Sequence, residues 1–251
     1  MNGKGAVSPV IADIRSRMKR GKIVSIDEAM RVIRDGDTVS IDGFIGGLAP
    51  EELLIGLERR FLETGEPKNL TLIFAAGIGD SKDKGINHLA HEGLLQRVIA
   101  GHWGLVPKLQ RLALDGKIEA YNFPQGVITH LYRDIAGHAP RTITHVGLGT
   151  FVDPRGQGGK VNSITKEDLV ELITFDGTEY LAYKTLPIHV ALLRGTTADM
   201  DGNITMEKEA FTLEVLQLAM AAKNSGGFVI VQVERIAERG ALNARHVKIP
   251  G

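Results

Sequence analysis

The residues best placed to do chemistry are glycines. The stretch DGFIGGLAPEELL, residues 42–54, sets Gly43, Gly46 and Gly47 within five residues. It lies between an alternating run, DTVSID, and a run with apolar residues at Leu53, Leu54, Leu57 and Phe61. Glycine adopts positive φ freely and lets the backbone approach a ligand closely. A helix starting just after such a turn aims N–H groups at an anion. The ligand such donors suit is a carboxylate, a phosphate or a developing oxyanion. Two further turns have the same character: Gly77 and Gly79 close LTLIFAAGIGD, and Gln125 and Gly126 close IEAYNFPQG, where Gln125 adds a side-chain donor and acceptor. The plain alternative for each is a tight strand-to-helix connection.

Other chemistries fit poorly. None of the glycine turns has the G-x-G-x-x-G spacing of a dinucleotide fingerprint after a strand. PRGQGGKV has Gly159 and Lys160, but proline and valine replace the first glycine and the hydroxyl of a Walker A loop. His88 and His91 stand three apart without an H-E-x-x-H pattern, which reads as surface or interface rather than metal. DMDGN, residues 199–203, starts like a calcium loop, but its glycine comes too early and Ala210 holds the twelfth position. There is no G-x-S-x-G elbow. Cysteine is absent, so thiol catalysis, zinc–thiolate sites and disulfides are excluded.

The elements around these turns alternate. Val39 and Ile41 facing opposite to Ser40 predict a strand, and Pro50 with Glu51 and Glu52 predicts a helix start. Strand readings follow in LTLIF, RVIAGHWG, IEAYN, the start of ITHVGLGTFVDP, IHVALLRG and FVIVQVERI. LVELITF and EYLAYK flank Asp176-Gly177, a hairpin signal. Helices are expected in INHLAHEGLLQ, LVPKLQRLALDG, VITHLYRDIAGH and, as the longest, residues 207–227. Strands alternating with helices indicate an α/β fold with an open, mostly parallel sheet flanked by helices. Ligands of such sheets bind outside the carboxyl ends of the strands, where these glycine turns lie.

The 251 residues suit one large domain or two small ones, with 43% hydrophobic content to build a core. Lys and Arg total 30 against 30 Asp and Glu, a balance that leaves no footprint for nucleic acid or an anionic membrane. No apolar run reaches the roughly 18 residues of a membrane span, and the basic N-terminus lacks the apolar core of a secretory signal. A cytoplasmic protein is expected. Residues 1–22 read as an N-terminal arm and residues 239–251, ending on Pro-Gly, as a linker with no closing element.

Taken in order, DGFIGGLAPEELL, FAAGIGD, GHWGLVPKLQRLALDGKIEAYNFPQGVITHLYRDIA, VGLGTFVDPRGQGGKVN and RGTTADMDGNITMEKEA resemble the family I CoA-transferases. More narrowly, residues 23–251 resemble the N-terminal half of acetate/propionate-type acyl-CoA transferases. The resemblance implies a CoA-transferase alpha domain over residues 23–238 and transfer of CoA from a short-chain acyl-CoA to a small carboxylate. It implies covalent catalysis through a glutamyl–CoA thioester. Coenzyme A enters as substrate, and no resident cofactor or metal is expected. Gly43, Phe44, Ile45, Gly46 and Gly47 match the loop beside the reacting carbonyl. Gly77, Gly79, Gln125, Gly126, Gly149 and Thr150 match positions lining the substrate pocket. The family's nucleophilic glutamate belongs to the second half, so no catalytic nucleophile is expected here. Glu51, although beside the glycine loop, reads as a helix-start acid. A beta half or subunit is therefore the expected partner, within a larger oligomer. The alternative from another class is a non-catalytic sugar-phosphate or effector-binding module; an isomerase would need a paired acid and base that the sequence does not offer.

Overall fold

A computed structural model describes residues 21–251. Most of the segment read as an N-terminal arm therefore lies outside the described residues. The chain enters through α1 (Ile26–Met30), closed at its start by a reciprocal capping box between Ser25 and Glu28. It then alternates: β1 (Thr38–Ile41), α2 (Glu51–Thr64), β2 (Leu70–Phe74), a 3₁₀ turn (Gly85–Leu89), β3 (Leu95–Ala100), α3 (Pro107–Leu114), β4 (Glu119–Asn122) and α4 (Gln125–Ala136). An antiparallel excursion follows in β5 (Arg141–Thr144), β6 (Val170–Phe175) and β7 (Thr178–Lys184). The chain returns through β8 (Val190–Asp199), β9 (Ile204–Thr205), α5 (Val215–Asn224), β10 (Phe228–Ala237) and β11 (Val247–Ile249).

The main sheet runs β11-β9-β8-β1-β2-β3-β4, with β10 on the other edge of β8. β1 through β4, β8 and β10 are mutually parallel; β9 and β11 pair antiparallel. The excursion forms a separate sheet of order β5-β7-β6, and Asp176 and Gly177 turn its hairpin with φ of 50° and 80°.

Period-two alternation sorts the core into two layers. Leu72, Phe74, Val98 and Ala100 face α2 and α3 with Leu53, Leu54, Leu57 and Leu109. Ile73, Ile99 and Tyr121 face α4 and α5 with Ile128, Leu131, Tyr132 and Leu218. Ser40, the polar residue of the alternation, is wholly buried. β1 is central, both of its faces are covered, and the Ser40 hydroxyl is engaged with the Ile73 carbonyl and the Tyr132 hydroxyl, each at 3.0 Å.

Three sequence expectations fail, each for a local reason. INHLAHEGLLQ yields only the 3₁₀ turn, because Gly93 at φ 91° diverts the chain and Leu95 joins β3. The expected helix over residues 207–227 begins only at Val215. Glu207 is tied to the Thr197 and Thr205 hydroxyls and to Arg235, and Glu209 to Arg194, so tertiary bonds override helix propensity. Residues 239–251, expected to lack a closing element, contain β11, which pairs with β9 and buries Ile249.

Candidate active site

Because β1 to β4 are parallel and adjacent, their carboxyl ends form one crest. The first glycine loop follows β1 and the second follows β2, and the backbone joins them. The Ile45 N–H donates to the Gly77 carbonyl at 2.8 Å, and the Gly79 N–H donates to the Ile45 carbonyl at 2.9 Å. After β3, His102 packs on Gly77 so closely that a Cβ there would lie 2.7 Å from its Nδ1. A Cβ on Gly101 would lie 2.8 Å from the Gln125 Cα, which brings the turn after β4 against the turn after β3. The structure thus lines up the turns holding Gly43 to Gly47, Gly77 and Gly79, and Gln125 and Gly126, from strand to neighbouring strand.

The glycines do not act alike. Gly46 and Gly47 are absent from the positive-φ residues of the loop; Ile45 at 57° and Leu48 at 58° adopt the left-handed conformation. Ile45 is the notable case, since a β-branched residue is costly there and such strain concentrates at functional sites. Gly47 is required for packing: a Cβ would lie 2.5 Å from the Phe211 ring, which also meets Phe44 edge-on at 6.0 Å. Phe44, Ile45 and Gly46 are exposed.

Few N–H groups of this loop are available. Gly43 donates to the Asp42 carboxylate, Phe44 to the Gly47 carbonyl, Ile45 to Gly77 and Gly47 to the Phe44 carbonyl. Gly46 finds no acceptor among the described residues, and its Cα faces open space. The start of α2 is occupied as well. Its first turn carries Glu51 and Glu52, and the Glu52 N–H donates to the Gln232 side chain at 3.0 Å. Of the exposed residues 44–46 of this loop, only Gly46 therefore keeps an N–H without an acceptor among the described residues.

The turn after β4 is more open. Gln125 is already the first residue of α4, a helix with no acid in its first turn. The Pro124 carbonyl accepts from Val127 and Ile128, while the N–H groups of Gln125 and Gly126 find no acceptor among the described residues. Both residues are exposed, and nothing stands within 4 Å of where a Gly126 Cβ would be. This helix start retains unneutralised donors of the kind that bind anions.

Gly149 and Thr150 sit apart from that line-up. They belong to the turn after β5, where the Gly149 N–H donates to Asp153 and the Thr150 hydroxyl to the Gly147 carbonyl at 2.8 Å. That turn reaches the crest through Gly159, whose carbonyl accepts from the Asn122 N–H at 2.8 Å. No hydrogen bond among the described residues joins Gly149 or Thr150 to the glycine loop.

Sequence reasoning missed two carboxylate arrangements. Asp42 is 3% exposed; its carboxylate accepts from the N–H groups of Gly43 and Glu214, each at 2.9 Å. Burial and then the Glu214 charge push Asp42 up to about 7, against those hydrogen bonds, and burial raises Glu214 too. Two carboxyls in such a setting share a proton. Asp42 thereby ties the glycine loop to the segment before α5. In the second arrangement, Glu51 accepts from the Gly85 N–H at 2.9 Å and meets His88 Nε2 at 3.2 Å. His88 and His91 both meet Glu58, at 2.6 and 2.7 Å. Burial raises Glu58, but the bonds from His91 and His88 outweigh it and hold the carboxylate below its ordinary range. The two histidines thus fasten the 3₁₀ turn to α2. Among the described residues no group of three or more His, Cys, Asp or Glu could hold a metal ion.

A crest of glycine turns that presents N–H donors, with Asp42 buried and Glu51 held in internal bonds, suits acyl-group recognition more than hydrolysis by its own nucleophile. Comparison with known proteins decides the family: residues 23–251 match Coenzyme A transferase.

The chain belongs to the coenzyme A transferase family. It is 50% identical over 232 residues to the caffeate CoA-transferase of Acetobacterium woodii, covering 92% of this chain and 44% of that protein. It is 31% identical to the acetate CoA-transferase subunit alpha of Escherichia coli K12, covering 92% of this chain and 93% of that subunit. The solved acyl-CoA transferase YdiF apoenzyme of Escherichia coli O157:H7 superposes with a TM-score of 0.89 at 42% identity, over 92% of this chain and 45% of that one. YdiF has also been solved as a thioester complex with CoA. This chain therefore spans less than half the length of the longer transferases and nearly the whole of the alpha subunit. No helix among the described residues is long and apolar enough to cross a membrane.

Proposed function

We propose that the chain is the alpha half of an acyl-CoA:carboxylate CoA-transferase acting on short acyl-CoAs and small carboxylates. The observation that carries this reading is the pairing of open donors with two neighbouring carboxylates that are buried or engaged. Gly46, Gln125 and Gly126 present N–H groups on one crest, while Asp42 is buried and Glu51 is engaged by Gly85 and His88. Coverage of nearly the whole of an alpha subunit, but under half of the longer enzymes, supports a partner beta half.

In this reading a glutamate carboxylate from the beta half attacks the thioester carbonyl, expelling CoA thiolate and leaving an acyl–glutamyl anhydride. The thiolate attacks the glutamyl carbonyl of the anhydride, forming a glutamyl–CoA thioester and releasing the acid. The acceptor carboxylate then attacks that thioester, and the returning thiolate takes up the new acyl group. Each step passes through a tetrahedral oxyanion, which in this reading accepts from the Gly46 N–H. The open start of α4 holds the free carboxylate. CoA is a substrate and no resident cofactor is required.

The test is complementation. The chain is produced with the part of YdiF that it does not match, and exchange of labelled acetate into acetyl-CoA is measured. Exchange by the pair and by neither part alone is expected; exchange by the 251-residue chain alone would overturn the assignment of the nucleophile to the beta half. The sugar-phosphate reading predicts instead that sugar phosphates, and not acyl-CoA, raise the melting temperature.

A further inference from the structure

Beside the crest lies a pocket that neither the family match nor the glycine turns account for. It is an open cleft of about 430 Å³, within the size range of small-molecule sites. Trp103, Asn122, Gln157 and Lys160 line it together with the apolar Leu114 and Phe151. It is built onto the crest: Trp103 follows His102, the residue packed on Gly77, and Asn122 ends β4 three residues before Gln125.

Its polar groups are largely unengaged. The Trp103 Nε1 is buried with no hydrogen-bond partner, the one such side-chain atom among the described residues. A buried donor without an acceptor costs about 1–3 kcal/mol. The Trp103 ring is backed edge-on by the buried Phe74, 6.4 Å between centroids. The side-chain amides of Asn122 and Gln157 make no hydrogen bond among the described residues. Lys160 pairs with Asp168, but that carboxylate is 75% exposed, so the pair is weak and a ligand competes with it readily. No Asp or Glu lines the cavity. The walls thus offer the two unengaged amides of Asn122 and Gln157 and one ammonium, against apolar faces. A sugar would find few acceptors here and a cation none that is charged. An organic acid with an apolar body matches both sets of groups.

We propose that this pocket binds a monocarboxylate larger than acetate, holding its carboxylate with Lys160 and Asn122 and its apolar body against Phe151 and Leu114. Its use as an acceptor subsite rests on the transferase reading; the binding itself does not. The pocket then sets the upper size of the acid that the crest processes.

Trp103 is the single tryptophan of the chain, so its emission reports on this wall alone. The 251-residue protein is titrated with 3-phenylpropionate, with its neutral amide and with acetate. Expected is a saturable emission change with 3-phenylpropionate, at least tenfold weaker binding of the amide, and no saturation by acetate at the same concentrations. Lys160→Met should weaken 3-phenylpropionate binding at least tenfold. Leu114 is 75% exposed, so Leu114→Glu leaves the fold intact while setting a negative charge at the mouth, with a similar loss expected. An absent saturable change, equal binding of acid and amide, or full binding by folded Leu114→Glu protein would overturn the proposal. Exchange in the complementation assay without phenylpropionate binding would sink the pocket and leave the transferase. Binding without exchange would do the reverse.

Discussion

Two connections of this molecule look equivalent in sequence and differ in chemistry. The β1–α2 connection is rich in glycine, yet internal acceptors take the N–H groups of Gly43, Phe44, Ile45 and Gly47. Its helix start is neutralised by Glu51 and Glu52. The β4–α4 connection has one glycine, yet it leaves two donors at a helix start with no acid. Glycine content therefore marks where backbone packs tightly, and the neighbouring carbonyls and carboxylates decide which donors remain for a ligand.

The contrast breaks most sharply if Gly46 and Gly126 prove dispensable. In the complemented enzyme, Gly46→Val keeps the N–H but fills the open space in front of it with a branched side chain, and should lower kcat by about 10²–10³-fold, the scale expected when one oxyanion donor becomes inaccessible. Gly126→Val should act mainly on KM for the carboxylate. Neither glycine has a neighbour within 4 Å of its would-be Cβ, so stability should stay within about 0.5 kcal/mol. The reverse pattern, Gly126 on kcat and Gly46 on KM, would exchange the roles of the two connections.

Next in size is the contact between the two halves of the crest. A Cβ on Gly101 would lie 2.2 Å from the Ala75 carbonyl oxygen and 2.8 Å from the Gln125 Cα, both backbone. Gly101→Ala should destabilise the protein by about 3 kcal/mol in urea unfolding. A neutral result would mean that the turn after β3 is not wedged between those after β2 and β4.

The Asp42–Glu214 pair gives a smaller, pH-dependent effect. Asp42 rises from 3.8 to about 7 on folding, so the folded state binds the proton more tightly than the unfolded chain. Its stabilisation is full below pH 4 and is lost as pH rises through 7. The melting temperature of the wild type should fall between pH 5 and 8 by a few degrees, and Asp42→Asn should flatten that slope. An unchanged slope would remove the shared proton from the account.

Smallest is Ile45. Replacing it with glycine relieves a left-handed β-branched residue, about 1–2 kcal/mol, and adds about 0.5–1 kcal/mol of chain entropy. A net stabilisation below about 1 kcal/mol should appear in urea unfolding. A clear destabilisation would show that the Ile45 side chain, not its backbone, holds the loop.

Much of this was legible from residue order alone. Strand–turn–helix alternation exposed the α/β fold, and Asp176-Gly177 its hairpin, because periodicity and turn chemistry are local. The helix expected from residue 207 was not recoverable, since Glu207 and Glu209 are held by partners from distant strands. β11 escaped notice because three residues carry little periodicity and their partner, β9, lies some forty residues earlier. At the site, the glycine turns were visible, but their division into engaged and open donors depends on acceptors such as Gly77 and Asp42. The Asp42–Glu214 pair spans 172 positions and leaves no local trace.

The most direct test of the crest is an amide titration of the ¹⁵N-labelled chain with acetyl-CoA, acetate and a sugar phosphate. The N–H resonances of Gly46, Gln125 and Gly126 should move together and saturably with acetyl-CoA, and Gln125 and Gly126 with acetate. Resonances that stay fixed while others respond, or that answer the sugar phosphate more strongly than acetyl-CoA, would contradict the account and favour an effector-binding module.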